Sequence, residues 1–68
     1  MTELNKTVAA AVRRKRTALN ISQGELSRQI NVAGSTISFI EKGLTDPLFS
    51  TMVKLATFFE CSIDDFWR

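Results

Sequence analysis

Apolar residues recur along this chain at the three- and four-residue spacing of helices. Leu4, Val8, Val12 and Leu19 follow this spacing in the first part of the chain. Asn20 comes next, and asparagine readily adopts the left-handed conformation that closes a helix. No stretch alternates apolar and polar residues as a half-buried β-strand would. The pattern therefore predicts an all-α fold whose first helix ends near Asn20.

The clearest helix start lies at Ser22 and Glu25, which have the S-x-x-E spacing of a capping box. In such a box the serine side chain accepts a hydrogen bond from a backbone N–H that the first helical turn leaves unpaired. We therefore expect a second helix to begin at about Gln23 and to run through Ile30. Asn31 is suited to end it in the left-handed conformation.

A third helix is predicted to start near Gly34 and to end before Gly43, a suitable C-terminal glycine. Its apolar face contains Ile37 and Ile40. Two short helices separated by a turn of about four residues match the helix-turn-helix pattern, here over residues of about 22–43.

A fourth, more apolar helix follows Pro47. On a helical wheel, one arc expected to face the core contains Phe49, Met52, Val53, Ala56 and Phe59. Leu55 falls at the edge of this arc, and Phe58 falls opposite it, on the side expected to face solvent. The sequence therefore leaves one large aromatic residue of this helix without a place in the core.

Ser62 and Asp65 repeat the capping pattern and predict a fifth short helix that ends through Trp67. Cys61, just before it, is interpreted as a core residue rather than a redox sensor. The neighbouring aspartates Asp64 and Asp65 are interpreted as charges that favour a helix N-terminus rather than as a paired-carboxylate site. Five short helices in one domain over residues 1–68 make a compact all-α fold.

Composition narrows the class of protein. The chain has 68 residues, of which 44% are hydrophobic, so it forms one small domain with a marginal core. It contains no histidine and one cysteine, which excludes a zinc site and a Cys-His or Ser-His catalytic pair. No apolar run approaches the length of a membrane span. We therefore expect a cytoplasmic protein that is not an enzyme and has no cofactor, metal or membrane partner.

The net charge is small, but the charged residues are unevenly distributed along the chain. Nine basic and seven acidic residues give a net charge of +2. Four consecutive basic residues nevertheless occupy positions 13–16, with Lys6 nearby, while Asp64 and Asp65 lie at the other end. This asymmetry permits a polyanionic partner on one face. A solvated helix face is the alternative interpretation of the basic run.

Arg16 and Glu41 are expected to form an ion pair. Arg16 lies four residues after Val12 and therefore on the core-facing side of the first helix. A guanidinium cannot lose its proton there, so it needs an anionic partner. Glu41 lies on the apolar face of the third helix, next to Ile40. The alternative is two independent surface charges.

The outward face of the third helix has the composition of a recognition surface. Ser35, Ser38, Phe39 and Lys42 lie there at the i, i+3, i+4, i+7 spacing of one face. Hydroxyls can bond base edges or phosphates, and phenylalanine can contact a thymine methyl. Gln23, at the start of the second helix, can add a phosphate contact. By itself it could equally be a polar helix start.

Two motifs, ISQ-x-EL at 21–26 and STIS-x-IEKG at 35–43, resemble the Cro and phage-repressor type of helix-turn-helix, the XRE family. The resemblance covers about Val8 to Trp67. It implies a five-helix, lambda-repressor-like domain with the third helix in the major groove. It also implies prokaryotic or phage transcriptional control by a homodimer on a palindromic operator of double-stranded DNA. The bases are then contacted by Ser35, Ser38 and Phe39, and the phosphates by Arg13, Gln23, Thr36 and Lys42.

The chain departs from the family pattern at a few positions. Asn31 replaces the usual glycine between the two helices, and Leu44 replaces a residue that is often basic. Ser27 stands where the family often has alanine, so its hydroxyl is expected to bond a carbonyl one turn back. Gly34 has no side chain to contact a base. Specificity is therefore expected from the other residues of the third helix or from DNA shape.

These features favour a sequence-specific repressor or small regulator, with its own operon as one expected target. An antitoxin or anti-repressor that binds a partner protein through the same fold is the second hypothesis. RNA binding is a third, although it usually needs a broader basic or aromatic surface. The homodimer interface is predicted at Leu55, Phe58 and Trp67. The alternative is that Phe58 packs beneath the C-terminus of its own chain.

Overall fold

The computed structural model describes the backbone of residues 3–67 and the side chains of residues 5–67. This part of the chain is all-helical and contains no strand. The elements are α1 (Glu3–Ala18), α2 (Gln23–Gln29), α3 (Thr36–Glu41), α4 (Phe49–Phe59) and a 3₁₀ helix (Ile63–Trp67). The predicted fold class is confirmed, although the fifth helix is of the tighter 3₁₀ type. Leu4, assigned to the core from the sequence, has its side chain outside the described residues.

None of the helices between residues 3 and 67 has both the length and the apolar character needed to cross a bilayer.

Left-handed residues end the helices where the sequence indicated. Asn20 and Asn31 both have φ of 59°, and Gly43 has φ of 71°. Glu60 closes α4 in the same conformation, with φ of 55° and ψ of 48°. A side chain with a Cβ is strained there, and no residue type in this segment signals such a turn. The chain therefore uses glycine at only one of these four positions.

The start of α2 is capped by half of the predicted box. The Ser22 hydroxyl accepts a hydrogen bond from the backbone N–H of Glu25 at 3.0 Å. The Glu25 carboxylate accepts instead from Arg28 Nη2 at 2.8 Å and from Gln29 Nε2 at 2.9 Å. The cap fixes the chain direction at the point where α2 meets the C-terminal end of α1.

The core lies where α1 packs against α3 and against the 3₁₀ helix. Its buried residues are Val8, Ala11, Val12, Leu26, Ile30, Ile37, Ile40, Met52, Leu55, Ala56 and Phe66. Phe66 is completely buried, and the Lys15 ammonium lies 5.6 Å from the centre of its ring. The C-terminal 3₁₀ helix therefore packs against α1 and contributes Phe66 to the core. Cys61 is half-buried and packs against this core, in agreement with its interpretation from the sequence.

The predicted orientation of α4 is correct only in part. Met52 and Ala56 are buried as expected, and Phe59 packs against the core. The buried residues of α4 are Thr51, Met52, Leu55 and Ala56, so the buried face is centred on Leu55. Phe49 and Val53, assigned to the core arc, remain 74% and 40% exposed. Apolar residues occupy most of α4, so their periodicity does not define a single face. Phe49 also stands in the first turn, directly after the exposed Leu48, where no other element covers it.

Candidate nucleic-acid interface

α3 turns one face to the core and leaves the other accessible. Ile37 and Ile40 are buried against α1 and α2. Ser35 is exposed, Ser38 is half-buried, and Phe39 is 44% exposed. The three side chains expected to contact bases therefore lie on the accessible side of the helix. An exposed aromatic ring beside small hydroxyls can contact both the polar and the methyl groups of base edges.

The first residues of α3 leave their polar groups accessible. Ser35 is the N-cap residue in position, yet its hydroxyl makes no capping hydrogen bond. Thr36 is half-buried, and its backbone N–H donates to the carbonyl of Ala33 at 3.0 Å. Lys42, at the other end of the helix, is exposed. Hydroxyl groups thus stand at the start of the exposed face, and an ammonium group stands at its end.

Ser27 contacts the turn between α2 and α3, and its carbonyl accepts a hydrogen bond from the backbone N–H of Val32 at 3.0 Å. Ser27 is buried, and its hydroxyl donates to the carbonyl of Gly34 at 3.4 Å. The hydrogen bond expected one turn back along α2 is therefore wrong, because the carbonyl of the facing turn lies within reach. Gly34 is exposed, and a Cβ added to it would meet nothing within 4 Å. The turn does not require glycine at this position.

Glu41 is the centre of a hydrogen-bonded network that joins three helices. Arg16 Nε donates to Glu41 Oε2 at 2.7 Å, and Arg16 Nη2 donates to Oε1 at 3.1 Å. Arg16 Nη1 also donates to the carbonyl of Ile21 at 2.7 Å. The side chains of Glu41 and Arg16 are 2% and 12% exposed. The ion pair inferred from the sequence is present, and it is shielded from solvent.

Two residues expected at DNA phosphates join the same network. Gln23 Nε2 donates to Glu41 Oε1 at 3.0 Å, which fixes the orientation of its amide. Arg13 Nε lies 3.7 Å from the same oxygen, while its side chain stays 67% exposed. The sequence carried no signal for either contact, because both depend on how α1, α2 and α3 meet. Capping chemistry explained why Gln23 begins α2, but not what it bonds.

The network determines the protonation of Glu41. Burial by itself would raise the pKa of the carboxyl, but hydrogen bonds from Arg16 and Gln23 and the nearby positive charges outweigh it and lower the pKa. The pKa of Arg16 is raised, mainly by its hydrogen bond to Glu41. Both groups are therefore charged at neutral pH, and the pair is an ionic one.

The basic run divides between the interior and the surface. Arg16 belongs to the network, and Lys15 covers the ring of Phe66. Arg13 and Arg14 are exposed. They border an open groove of about 500 Å³ between α1 and the C-terminal end of α3, lined by Lys6, Ala9, Ala10, Arg13, Arg14, Thr17, Glu41, Lys42 and Gly43. Lys15 and Arg16 thus stabilise the fold, whereas Arg13 and Arg14 face solvent.

The predicted dimer residues do not form one exposed patch. Leu55 is wrong as an interface residue, because its side chain is completely buried in its own chain. Phe58 is half-buried, packs against the core, and meets Phe59 edge-to-face with ring centres 5.3 Å apart. Trp67 is 37% exposed. The largest exposed apolar group on the helical part of α4 is instead Phe49, with Val53 one turn further on.

Comparison with known proteins agrees with this geometry. The profile of the helix-turn-helix family matches residues 12–66. An uncharacterized HTH-type transcriptional regulator from Archaeoglobus fulgidus is 36% identical over 50 residues, which cover 74% of this chain and 70% of that protein. Another from Methanocaldococcus jannaschii is 39% identical over 46 residues, which cover 68% and 70%.

Solved structures show the same fold. A hypothetical transcription factor, NHTF from Neisseria, superimposes with a TM-score of 0.91 over 97% of this chain and 76% of that one, at 23% identity. The restriction-modification controller protein C.AhdI from Aeromonas hydrophila gives a TM-score of 0.84 over 91% and 94%, at 22% identity. The motifs, the arrangement of α2 and α3, and the profile match over most of the chain agree. This protein belongs to the XRE-type helix-turn-helix family.

Proposed function

We propose that this protein is a transcriptional regulator that binds specific sequences of double-stranded DNA, with α3 in the major groove. The accessible face of α3 is the observation that carries this proposal. A helix of about 10–12 Å diameter fits a major groove about 12 Å wide. The family and the regulators similar to this chain indicate a DNA-binding protein rather than an enzyme.

Base contacts are assigned to Ser35, Ser38 and Phe39. Ser35 and Phe39 are exposed one turn apart, so both side chains can reach adjacent base edges. Ser38 is half-buried and is the least accessible of the three. Sequence discrimination then depends mainly on one hydroxyl and one aromatic ring, supplemented by the shape of the DNA.

Phosphate contacts are assigned to Arg13, Gln23, Thr36 and Lys42. Gln23 uses one amide hydrogen for Glu41 and retains the second for a phosphate oxygen. Arg13 is near enough to Glu41 for a weak ionic contact but exposed enough to turn toward DNA. These contacts position the domain and carry no sequence information themselves.

We further propose that two copies bind a palindromic operator and act in the cytoplasm as a repressor, including of their own gene. One short α3 contacts too few base pairs for useful specificity, whereas a twofold dimer contacts two half-sites one helical turn apart. The exposed residues Phe49 and Val53 on α4, with Trp67 beyond it, supply apolar surface for such a dimer. Leu55 has no part in this revised interface.

A protein-interaction role, as in an antitoxin or anti-repressor, is the less favoured function. The curated relatives are described as transcriptional regulators, and the exposed cations Arg13 and Lys42 lie at the C-terminal end of α3. The low net charge of +2 would suit a protein partner. It is a total over the whole chain, however, and does not reflect the basic residues concentrated at positions 13–16.

The experiment that tests the proposal is DNA binding by fluorescence anisotropy. The affinity for a duplex from the region upstream of the gene is compared with that for a scrambled duplex over a range of salt concentrations. Specific binders exceed their non-specific affinity by at least about 10³-fold. A ratio below about tenfold, on any sequence recovered by selection from random duplexes, would contradict the proposal.

Substitutions separate the two kinds of contact. Ser35→Ala and Phe39→Ala should each change the preference at one base position by about 1–3 kcal/mol. Arg13→Ala should weaken binding to all duplexes by a similar factor. It should also lower the slope of log affinity against log salt concentration by about one unit. Ser50→Ala, an exposed serine on α4, is the matched control for Ser35. Unchanged base preferences in both α3 variants would show that α3 does not contact the bases.

A further inference from the structure

The open groove between α1 and the C-terminal end of α3 has a composition that the proposed function does not explain. Four cationic side chains border it, and only two of them, Arg13 and Lys42, are assigned to phosphates above. Lys6 and Arg14 are the other two, and both are exposed. We propose that this groove binds phosphates of the DNA backbone outside the bases contacted by α3, and that Lys6 and Arg14 make those contacts. This inference rests on the proposed function.

The shape of the groove suits a backbone rather than a side chain. Ala9 and Ala10 are among its lining residues, so α1 contributes only small side chains between Lys6 and Arg13. Lys6 and Arg14 are separated by about 12 Å along the helix axis. Measured along the duplex axis, at about 3.4 Å per phosphate of one strand, that distance spans between about three and four phosphate steps. A strand can therefore lie along α1 and meet a cation near each end.

The one acidic residue in the groove does not repel a phosphate strongly. Glu41 contributes to the lining, but its carboxylate is 2% exposed and already accepts hydrogen bonds from Arg16 and Gln23. Its negative charge is offset by Arg16. The charge that an approaching ligand meets is that of the four cationic side chains on the rim.

DNA is favoured over a free phosphorylated molecule as the source of the phosphates. The groove continues from Arg13 and Lys42, which lie beside the accessible face of α3. None of the residues that line the groove has an aromatic ring on which a nucleotide base could stack. None of them belongs to α4, the proposed dimer helix.

The test uses a minimal operator duplex and the same duplex lengthened by about ten base pairs, one helical turn, at each end. Wild type should bind the longer duplex more tightly. The double variant Lys6→Ala/Arg14→Ala should lose this gain, and its salt slope should fall by about two units. Between 50 and 200 mM salt, wild type should then lose about tenfold more affinity than the variant. Circular dichroism checks that the variant is folded.

Three further variants separate an effect of the groove from an effect of net charge. Arg28→Ala/Lys54→Ala removes two exposed cations outside the groove and should leave the gain from longer DNA intact. Ala10→Glu keeps all four cations but places a carboxylate within one turn of Lys6 and Arg14, so it should abolish the gain, whereas the neutral Ala10→Gln should reduce it less. An equal loss in the Arg28→Ala/Lys54→Ala control would overturn the proposal.

The outcomes separate this inference from the function itself. If wild type discriminates the operator from scrambled DNA but gains nothing from added length, and the Lys6→Ala/Arg14→Ala variant keeps its salt slope, the groove proposal is wrong and the function stands. If wild type does not discriminate at all, the proposed function fails. Saturable binding of AMP, lost in the same double variant, would overturn the DNA contact in favour of a free phosphorylated ligand.

Discussion

The carboxylate of Glu41 holds together three helices through contacts with Arg16 and Gln23. We predict that Glu41→Gln lowers the free energy of unfolding by about 3 kcal/mol, because it leaves the shielded Arg16 charge without an anionic partner. Urea unfolding followed by circular dichroism measures this change. Glu25→Gln removes an exposed ion pair with Arg28 and is the matched control, with a loss below about 1 kcal/mol. Similar small losses in both variants would mean that the Arg16–Glu41 pair contributes little.

We predict that the contribution of Glu41 to the free energy of unfolding depends on pH. The folded protein lowers the pKa of Glu41 below its ordinary value of 4.5. A carboxyl of this kind stabilises the fold fully above its unfolded pKa, and the stabilisation is lost as the pH falls through the lower, folded pKa. The difference in unfolding free energy between wild type and Glu41→Gln should therefore be constant near neutrality and shrink below about pH 4.5. A difference that grows on acidification would contradict the lowered pKa.

At this scale the sequence predicts charges better than hydrogen bonds. Arg16 and Glu41 could be paired because each is a charged residue on an otherwise apolar helix face. The bond from Gln23 to Glu41, and that from Ser27 to Gly34, could not be predicted. Both depend on how neighbouring helices approach one another, which helical periodicity does not describe.

The ends of the helices offer a prediction at the level of elements. Glu60 closes α4 in the left-handed region, where glycine avoids the strain of a Cβ. Glu60→Gly should stabilise the protein by about 0.5–1 kcal/mol after the extra flexibility of glycine in the unfolded chain is deducted. Thermal unfolding measures this, and Glu60→Ala, which keeps a Cβ, should give no such gain. A loss of stability in Glu60→Gly would show that the Glu60 side chain matters more than its backbone.

Helices with capping residues at their ends can be predicted well from the sequence. The orientation of α4 cannot be predicted in this way. The capping serine and the two asparagines mark the limits of α1 and α2 closely. α4 was located correctly, but its rotation was correct only in part, because apolar residues surround most of the helix. The buried Thr51 and the exposed Phe49 reverse the order expected from hydrophobicity. Only the packing of α4 against the rest of the core decides which side is covered.

At the scale of the whole molecule, the fold follows from the sequence, but the assembly does not. The all-helical class and the helix-turn-helix unit were predicted from periodicity and caps. The proposed dimer surface includes Phe49 and Val53 rather than Leu55, because the rotation of α4 determines which apolar residues remain accessible. An error at the level of one helix therefore becomes an error about assembly.

We predict that Phe49→Glu yields a folded monomer. Phe49 is 74% exposed, so the substitution should leave the core intact while it places a charge in the proposed interface. Sedimentation at several concentrations should show self-association of wild type in roughly the micromolar range, as expected of a small interface, and none for the variant. Operator affinity should fall more than non-specific affinity.

Lys54→Glu is the control for a new negative charge at an exposed α4 position, about 100° around the helix from Val53. It should associate more strongly than Phe49→Glu. A wild type that stays monomeric at millimolar concentration, or a Phe49→Glu variant that still dimerises, would exclude this interface.

The open space around Gly34 has a consequence for how this protein diverges from its relatives. The residue is not among those with positive φ, and a Cβ there meets nothing within 4 Å. A Cβ can therefore be added beside the exposed Ser35 without a steric clash. In a gene duplicate, one codon change at this position would place a new side chain next to the proposed base contacts. If the proposed function holds, the two copies would then differ in DNA preference while they keep the same core.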